Sequence, residues 1–239
     1  MHRSAQNVLM STTSLGPKSQ TLAVFESIRG EILDARVEPG SRLHVASLVD
    51  RYGVSQSAVR EALSRLVADG LAIALDQKGF RVAPVSIADL HDLTESRIEM
   101  ECVSLRRSIE RGDAAWEARV LAAYHELSRS TPVAVAELQG AMLPWAVLHR
   151  RFHNALVSAA GSDWLERFRE IMFDQSERYR MLSVSHPVGP RDVNAEHRAL
   201  MDAALERNVD KVNELVAAHF RETANVVTAA MEQRAKDAK

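Results

Sequence analysis

The stretch Val54-Ser55-Gln56-Ser57-Ala58-Val59-Arg60-Glu61-Ala62-Leu63-Ser64-Arg65-Leu66 decides how the first third of the chain is read. Val59, Ala62, Leu63 and Leu66 recur at helical spacing and define an inward face. Gln56, Ser57, Arg60, Ser64 and Arg65 fall mainly on the other side. Ser55 stands at the N-cap position, so the free amides of the first turn lie beside short polar side chains. A helix start that offers amides, hydroxyls, the Gln56 carboxamide and the Arg60 guanidinium can meet phosphates and base edges together. Taken alone, the pattern suits an ordinary amphipathic surface helix equally well.

The neighbouring segments favour the first reading. Leu43 to Tyr52 is a short helical pattern with Leu43, Ala46 and Val49 apolar, and Gly53 ends it. Helix, glycine-containing turn, helix is the arithmetic of a helix-turn-helix. Thr21 to Asp34 is another amphipathic pattern (Leu22, Phe25, Ile28, Ile32) and leads into the turn Pro39-Gly40. Downstream, Leu71 to Leu75 is strand-like, Asp76 to Gly79 are turn residues, and Phe80 to Val85 alternates with period two. Three helices and a hairpin over residues 20–85 predict a winged helix-turn-helix, preceded by a flexible tail over residues 1–19.

Pro39-Gly40, Leu43, Gly53-Val54-Ser55, Val59-Arg60-Glu61-Ala62-Leu63, Leu66, Asp69-Gly70-Leu71 and Gly79 together resemble the DNA-binding domain of GntR-type bacterial transcription regulators. The resemblance implies a double-stranded DNA operator as partner. Ser55, Gln56, Ser57, Arg60 and Arg65 are then expected in the major groove, with the wing tip Lys78-Gly79 in the neighbouring minor groove. Two positions depart from the family, which usually has Arg where Gln56 stands and Pro where Ala58 stands. Gln pairs bidentately with adenine whereas Arg favours guanine, so the family's operator does not carry over.

Bulk properties set the frame. A chain of 239 residues suits one larger domain or two small ones, and 46% hydrophobic with 26% charged residues is ordinary for a globular protein. The net charge of −2 says nothing of nucleic acid. Residues 1–86 carry 10 Lys+Arg against 8 Asp+Glu, so phosphate contact rests on local placement (Arg60, Arg65, Lys78, Arg81) rather than on a polybasic field. The single cysteine, Cys102, excludes an intrachain disulfide framework, fits a cytoplasmic location, and reads as a small buried apolar residue. The first twenty residues lack the apolar core of a signal peptide, and no run approaches the ~18 residues of a membrane span.

From residue 86 the pattern is helical. Val85-Ser86-Ile87-Ala88-Asp89-Leu90 carries a capping box and a Val85/Leu90 staple, which marks a new domain over residues 86–239. Its first helix runs towards Ile109 with Leu93, Ile98, Cys102 and Leu105 inward. Asp113 to Leu127 follows, then a start at Thr131-Pro132 disturbed at Gly140 and Pro144, then Val147 to Ala159. Ser162 caps a helix reaching Leu182, the loop Ser183 to Pro190 carries two prolines, and Asn194 to Arg207 and Val209 to Gln233 complete the set, with Asn208 as the break. The whole is a mostly α protein: a winged helix-turn-helix followed by an all-α bundle of six or seven helices.

Histidine carries the chemistry of this bundle. Of nine, His2, His44, His91, His125 and His186 have no patterned partner. His149 and His153 are four apart and project from one helical face, while His197 and His219 lie on the last two helices. An HxxxH pair by itself is more often incidental than a metal site, and spacing alone does not join the four. His149-Arg150-Arg151-Phe152-His153 through Leu156 and Gly161, then Glu196-His197 and His219, resemble the all-helical FCD effector domain of the FadR-like subgroup, and Arg97 and Glu101 fit as well. The resemblance implies an Asp and three His around a divalent metal, with an Arg that receives a small carboxylate effector. The three His become His153, His197 and His219, and the Asp becomes His149, a departure. Either four histidines ligate, which favours Zn²⁺ or Ni²⁺ over hard oxygen-seeking ions, or three do and His149 turns aside. Arg97 either forks an effector carboxylate or pairs with Glu101 along its helix. Trp145, Phe152, Trp164 and Phe173 read as core.

The reading is a metabolite-responsive regulator, not an enzyme, that binds a palindromic operator as a homodimer and responds to a small carboxylate at a metal site. Repression is its expected output, and it needs no membrane. One rival is a helical metal-dependent hydrolase. Against it, no H-E-x-x-H is present, and Glu196, next to His197, is expected on another face and poorly placed as a base. Another is a ligand-binding protein whose winged helix makes protein contacts.

Overall fold

The computed structural model describes residues 17–76, 78–130, 142–183 and 191–237. Most of the expected tail, Gln77 of the wing, the Thr131-Pro132 start with Gly140, most of the loop before Pro190, and His2 and His186 lie outside them. The chain divides into two compact units, one made of residues up to Ile32 with Gly40–Ala83, the other of Leu33–Pro39 with Pro84 onward.

In the first unit, α1 (Pro17–Leu33), α2 (Val45–Tyr52) and α3 (Gln56–Ala68) accompany a three-stranded sheet of order β1-β3-β2. Helix α1 begins at Pro17, inside the stretch expected to be tail, because proline at the first helical position loses no needed amide. Ile28 and Ile32 are buried as expected, but in the first half of the helix Thr21 and Val24 are buried in place of Phe25, which is half-buried, and Leu22, which is exposed. Leu43 does not open the second helix. The Gly40 turn, at φ 79, folds Arg42–Leu43 (β1) back onto β3 (Gly79–Val82), with Leu43 opposite Phe80. A two-residue strand has no period to read, which is why the hairpin expected from sequence is a three-stranded sheet. Strand β2 (Ala72–Leu75) completes it, with Ala72 opposite Val82.

In α3 the expected inward residues Val59, Ala62, Leu63 and Leu66 are all fully buried. Ser55 is the N-cap, accepting the Ala58 amide at 3.2 Å. Gly53 closes α2 at φ 62, a left-handed conformation that Gly adopts without the strain a Cβ brings.

The second unit holds α4 (Ile87–Arg111), α5 (Ala114–Ser128), α6 (Met142–Val157), α7 (Asp163–Ser183), α8 (Val193–Leu205) and α9 (Val209–Asp237). Ser86, Asp113 and Asp192 each cap the following helix by accepting an amide three residues on. One core joins Ile98, Leu105, Trp116, Leu127, Trp145, Phe152, Leu200, Val216 and Phe220. A second gathers Leu90, Tyr179, Leu182 and Val227. Two expectations change here. Cys102 is only half-buried, and Trp164 is 66% exposed, stacked on exposed Phe168 rather than packed in the core. Trp164 opens α7 on its outer side, a placement that residue type does not reveal. No helix among the described residues is long and apolar enough to cross a membrane.

Candidate metal centre and candidate nucleic-acid interface

Three helices bring four histidines to one point inside the second unit. His149 and His153 are one turn apart on α6, His197 sits early in α8, and His219 lies near the middle of α9. One ligand nitrogen from each lies within 4.8 Å of the others, and all four side chains are buried. His149 therefore turns towards the cluster, not aside, with its Nε2 at 3.2 Å from Nε2 of His153. Two nitrogens about 2.0–2.1 Å from a tetrahedral Zn²⁺ stand about 3.3 Å apart, so the spacing suits a shared ion. Both nitrogens of His197 and Nδ1 of His149 and His153 have no hydrogen-bond partner among the described residues. Buried polar atoms are rarely left so, and these four side chains fit a divalent metal.

The cluster is held neutral. Burial, then the neighbouring His153 and His197, pushes His149 well below the usual range. Burial with His197 and His219 does the same to His153. His197 falls to about 3 through burial, and His219 is lowered by burial against the opposing pull of Glu196. Neutral imidazole is the form that ligates.

Sequence reasoning missed the surroundings of this cluster. Glu196, expected to point away from the histidines, has its Oε2 2.6 Å from Nδ1 of His219 on α9. Arg191 forks the same carboxylate at 2.7 and 2.6 Å. Burial raises the Glu196 carboxyl, but the bonds from His219 and Arg191 outweigh it and bring it to about 2. The signal lay in the two-helix arrangement, which no spacing along one helix contains.

Arg97 is buried in α4, donates to Ser176 Oγ at 2.8 Å, and lies 3.8 Å over the Phe220 ring. Its Nε has no partner among the described residues, and burial lowers its pKa to about 10. Glu101 instead faces Arg169, at 3.8 Å from its Nε. Trp145 stacks on His149 with ring centroids 4.6 Å apart.

In the first unit Ser55, Gln56, Ser57, Arg60, Ser64 and Arg65 are exposed together along one side of α3, and Lys78 is exposed at the wing beside Gly79. Ser55 and Ser57 share a 2.9 Å hydroxyl contact, and Arg65 donates to Glu61 at 2.6 Å. Arg81 is half-buried, and its buried Nε has no partner among the described residues.

Residues 20–82 match the bacterial regulatory proteins of the gntR family, and residues 92–222 match the FCD domain. The chain is similar to the uncharacterized HTH-type transcriptional regulator BphR of Paraburkholderia xenovorans (strain LB400), at 42% identity over 86% of this chain and 84% of that protein. It is also similar to the HTH-type transcriptional repressor GlaR of Escherichia coli (strain K12), at 33% identity over 87% of this chain and 95% of the other. Among solved structures, E. coli McbR/YncC shares the fold with a TM-score of 0.70 at 19% identity, over 88% of this chain and 98% of that one.

Proposed function

Because this chain belongs to the GntR family of bacterial regulatory proteins and carries an FCD domain, and is therefore a transcriptional regulator, we propose that it binds a palindromic DNA operator as a homodimer under control of a small carboxylate held at a metal site. The polar side of α3 would enter the major groove through Ser55, Gln56, Ser57, Arg60 and Arg65, with Lys78-Gly79 at the minor groove. What supports this is the joint exposure of those residues on a helix whose opposite side is wholly buried. One such module buries too little surface for tight specific binding, so two half-sites and two copies are required. The E. coli relative is named a repressor, and repression is the output assigned here. A cytoplasmic location follows from that role.

The observation that carries the sensing half is the buried four-histidine cluster. His149, His153, His197 and His219 would hold Zn²⁺ or Ni²⁺, because four nitrogen donors suit borderline ions better than oxygen-seeking ones. When bound, the ion would supply positive charge beside Arg97, and would anchor an anion directly only by expanding to a fifth ligand. Arg97, with an unpartnered Nε close to the cluster, would fork the effector carboxylate. The effector shifts the regulator between states only by its difference in affinity for them.

The test is fluorescence anisotropy on a DNA fragment selected from a random pool by the Zn²⁺-loaded protein, titrated with small mono- and dicarboxylic acids. One acid altering DNA affinity in wild type, but not in His153→Ala or Arg97→Ala, supports the reading. An unchanged response in His153→Ala removes the metal as the switch.

A further inference from the structure

The histidine cluster poses a charge problem. Four neutral imidazoles bring no negative charge to a divalent cation. The charged groups acting on them are largely cationic, namely Arg97, Arg169, Arg180 and Arg191. A buried charge without a counter-charge is strongly unfavourable. Among the described residues one carboxylate lies against the cluster, one step removed from it. Glu196 Oε2 lies 2.6 Å from Nδ1 of His219, whose side chain is 5% exposed.

We propose that Glu196, fixed by Arg191, is the positioning residue of this centre: it orients His219 and supplies the anionic charge of the metal site through that imidazole. The inference rests on the metal reading above and deepens it. With Glu196 as acceptor, the proton of neutral His219 resides on Nδ1, which leaves Nε2 as the donor atom. A cation at Nε2 draws electron density from the ring and makes the Nδ1 proton more acidic, so its bond to Glu196 strengthens as metal binds. Arg191 keeps the carboxylate in register. Its Nε and Nη2 fork Glu196, Nη2 also donates to the His219 carbonyl at 3.0 Å, and Nη1 donates to Thr223 Oγ1 at 3.0 Å. Carboxylate, the Thr223 hydroxyl and the α9 backbone are thus tied at one guanidinium.

The experiment is Zn²⁺ competition against a chromophoric chelator on the full chain, comparing wild type, Glu196→Gln, His149→Asp, His153→Ala, and Glu196→Gln combined with His149→Asp. Glu196→Gln keeps the shape and an acceptor oxygen but removes the charge, and affinity should fall about 10- to 100-fold. Adding His149→Asp returns a carboxylate directly to the cluster and should raise affinity more in Glu196→Gln than His149→Asp alone does in wild type; equal gains would reduce Glu196 to a structural role. Arg191→Lys, which loosens the fork, gives a smaller loss and serves if Glu196→Gln does not fold. Should Glu196→Gln bind within about twofold of wild type while His153→Ala does not bind, the inference falls and the metal reading stands. Should wild type itself fail to bind, both fall together.

Discussion

Two helices, one from each unit, bury different kinds of side chain. Helix α3 in the first hides Ala58, Val59, Ala62, Leu63 and Leu66 and keeps every polar group outside. Helix α4 in the second hides Thr94, Arg97, Glu101, Ser104 and Ser108 among Leu90, Ile98, Leu105 and Ile109. A protein that reads DNA works on its outer surface and keeps a dry core. A site for an ion and a charged metabolite, as proposed for the second unit, needs polar groups inside, and several buried polar atoms there have no partner among the described residues. Stability is conceded there for function.

Acidifying the apo protein breaks this contrast most sharply. The four histidines have folded pKa values below their ordinary 6.5. Below that pH the unfolded chain takes up protons that the native cluster refuses, so stability present above pH 6.5 is lost as pH falls towards the folded values. Each histidine contributes up to about 1.4 kcal/mol per pH unit in that window, several kcal/mol together. Urea unfolding with chelator at pH 7.5 and 5.5 measures it, and equal stability at both would show that the cluster is not buried as described. Next in size is Leu63→Ala in the dry core, expected to cost about 2–5 kcal/mol in denaturant. A cost below 1 kcal/mol would mean that the first unit's core is not tightly packed.

Metal loading sharpens the comparison from the other side. Zn²⁺ at about 100-fold over its dissociation constant should add about 2.7 kcal/mol to wild type, read by calorimetry as a rise of several degrees. His153→Ala should show no such rise. A metal-dependent rise that survived in His153→Ala would move the binding site elsewhere. The smallest effect is Ser55→Ala, about 1 kcal/mol through loss of the N-cap, visible in urea unfolding. It should leave Zn²⁺ affinity unchanged.

The first unit was legible because its periodicity and its burial coincide. Val59, Ala62, Leu63 and Leu66 on α3 are where spacing put them, and Ser55 caps as expected. What failed there was short or one-sided: the two-residue strand Arg42–Leu43, and Leu22 on the outside of α1. In the second unit the helices were legible, and the four histidines came together through a family likeness rather than through spacing. Their setting was not. Glu196 reaching His219, Arg97 over Phe220 and Glu101 against Arg169 are contacts between helices, and one helix's sequence does not state its neighbour. Trp164 misled because aromatic residues usually mark a core, and this one does not.

The stacking of Trp145 on His149 has an optical consequence. All three tryptophans, Trp116, Trp145 and Trp164, lie in the second unit, so tryptophan emission reports on that unit alone. Trp116 is buried far along the core beside Ala155 and Leu156, and Trp164 faces solvent. Trp145 alone has its indole face to face with a cluster imidazole, at 4.6 Å and 13°. An imidazole that gains positive character quenches an indole it touches. If His149 takes up a proton or the proposed metal, Trp145 emission is expected to dim, and titrating Zn²⁺ while recording tryptophan fluorescence checks it without any added label.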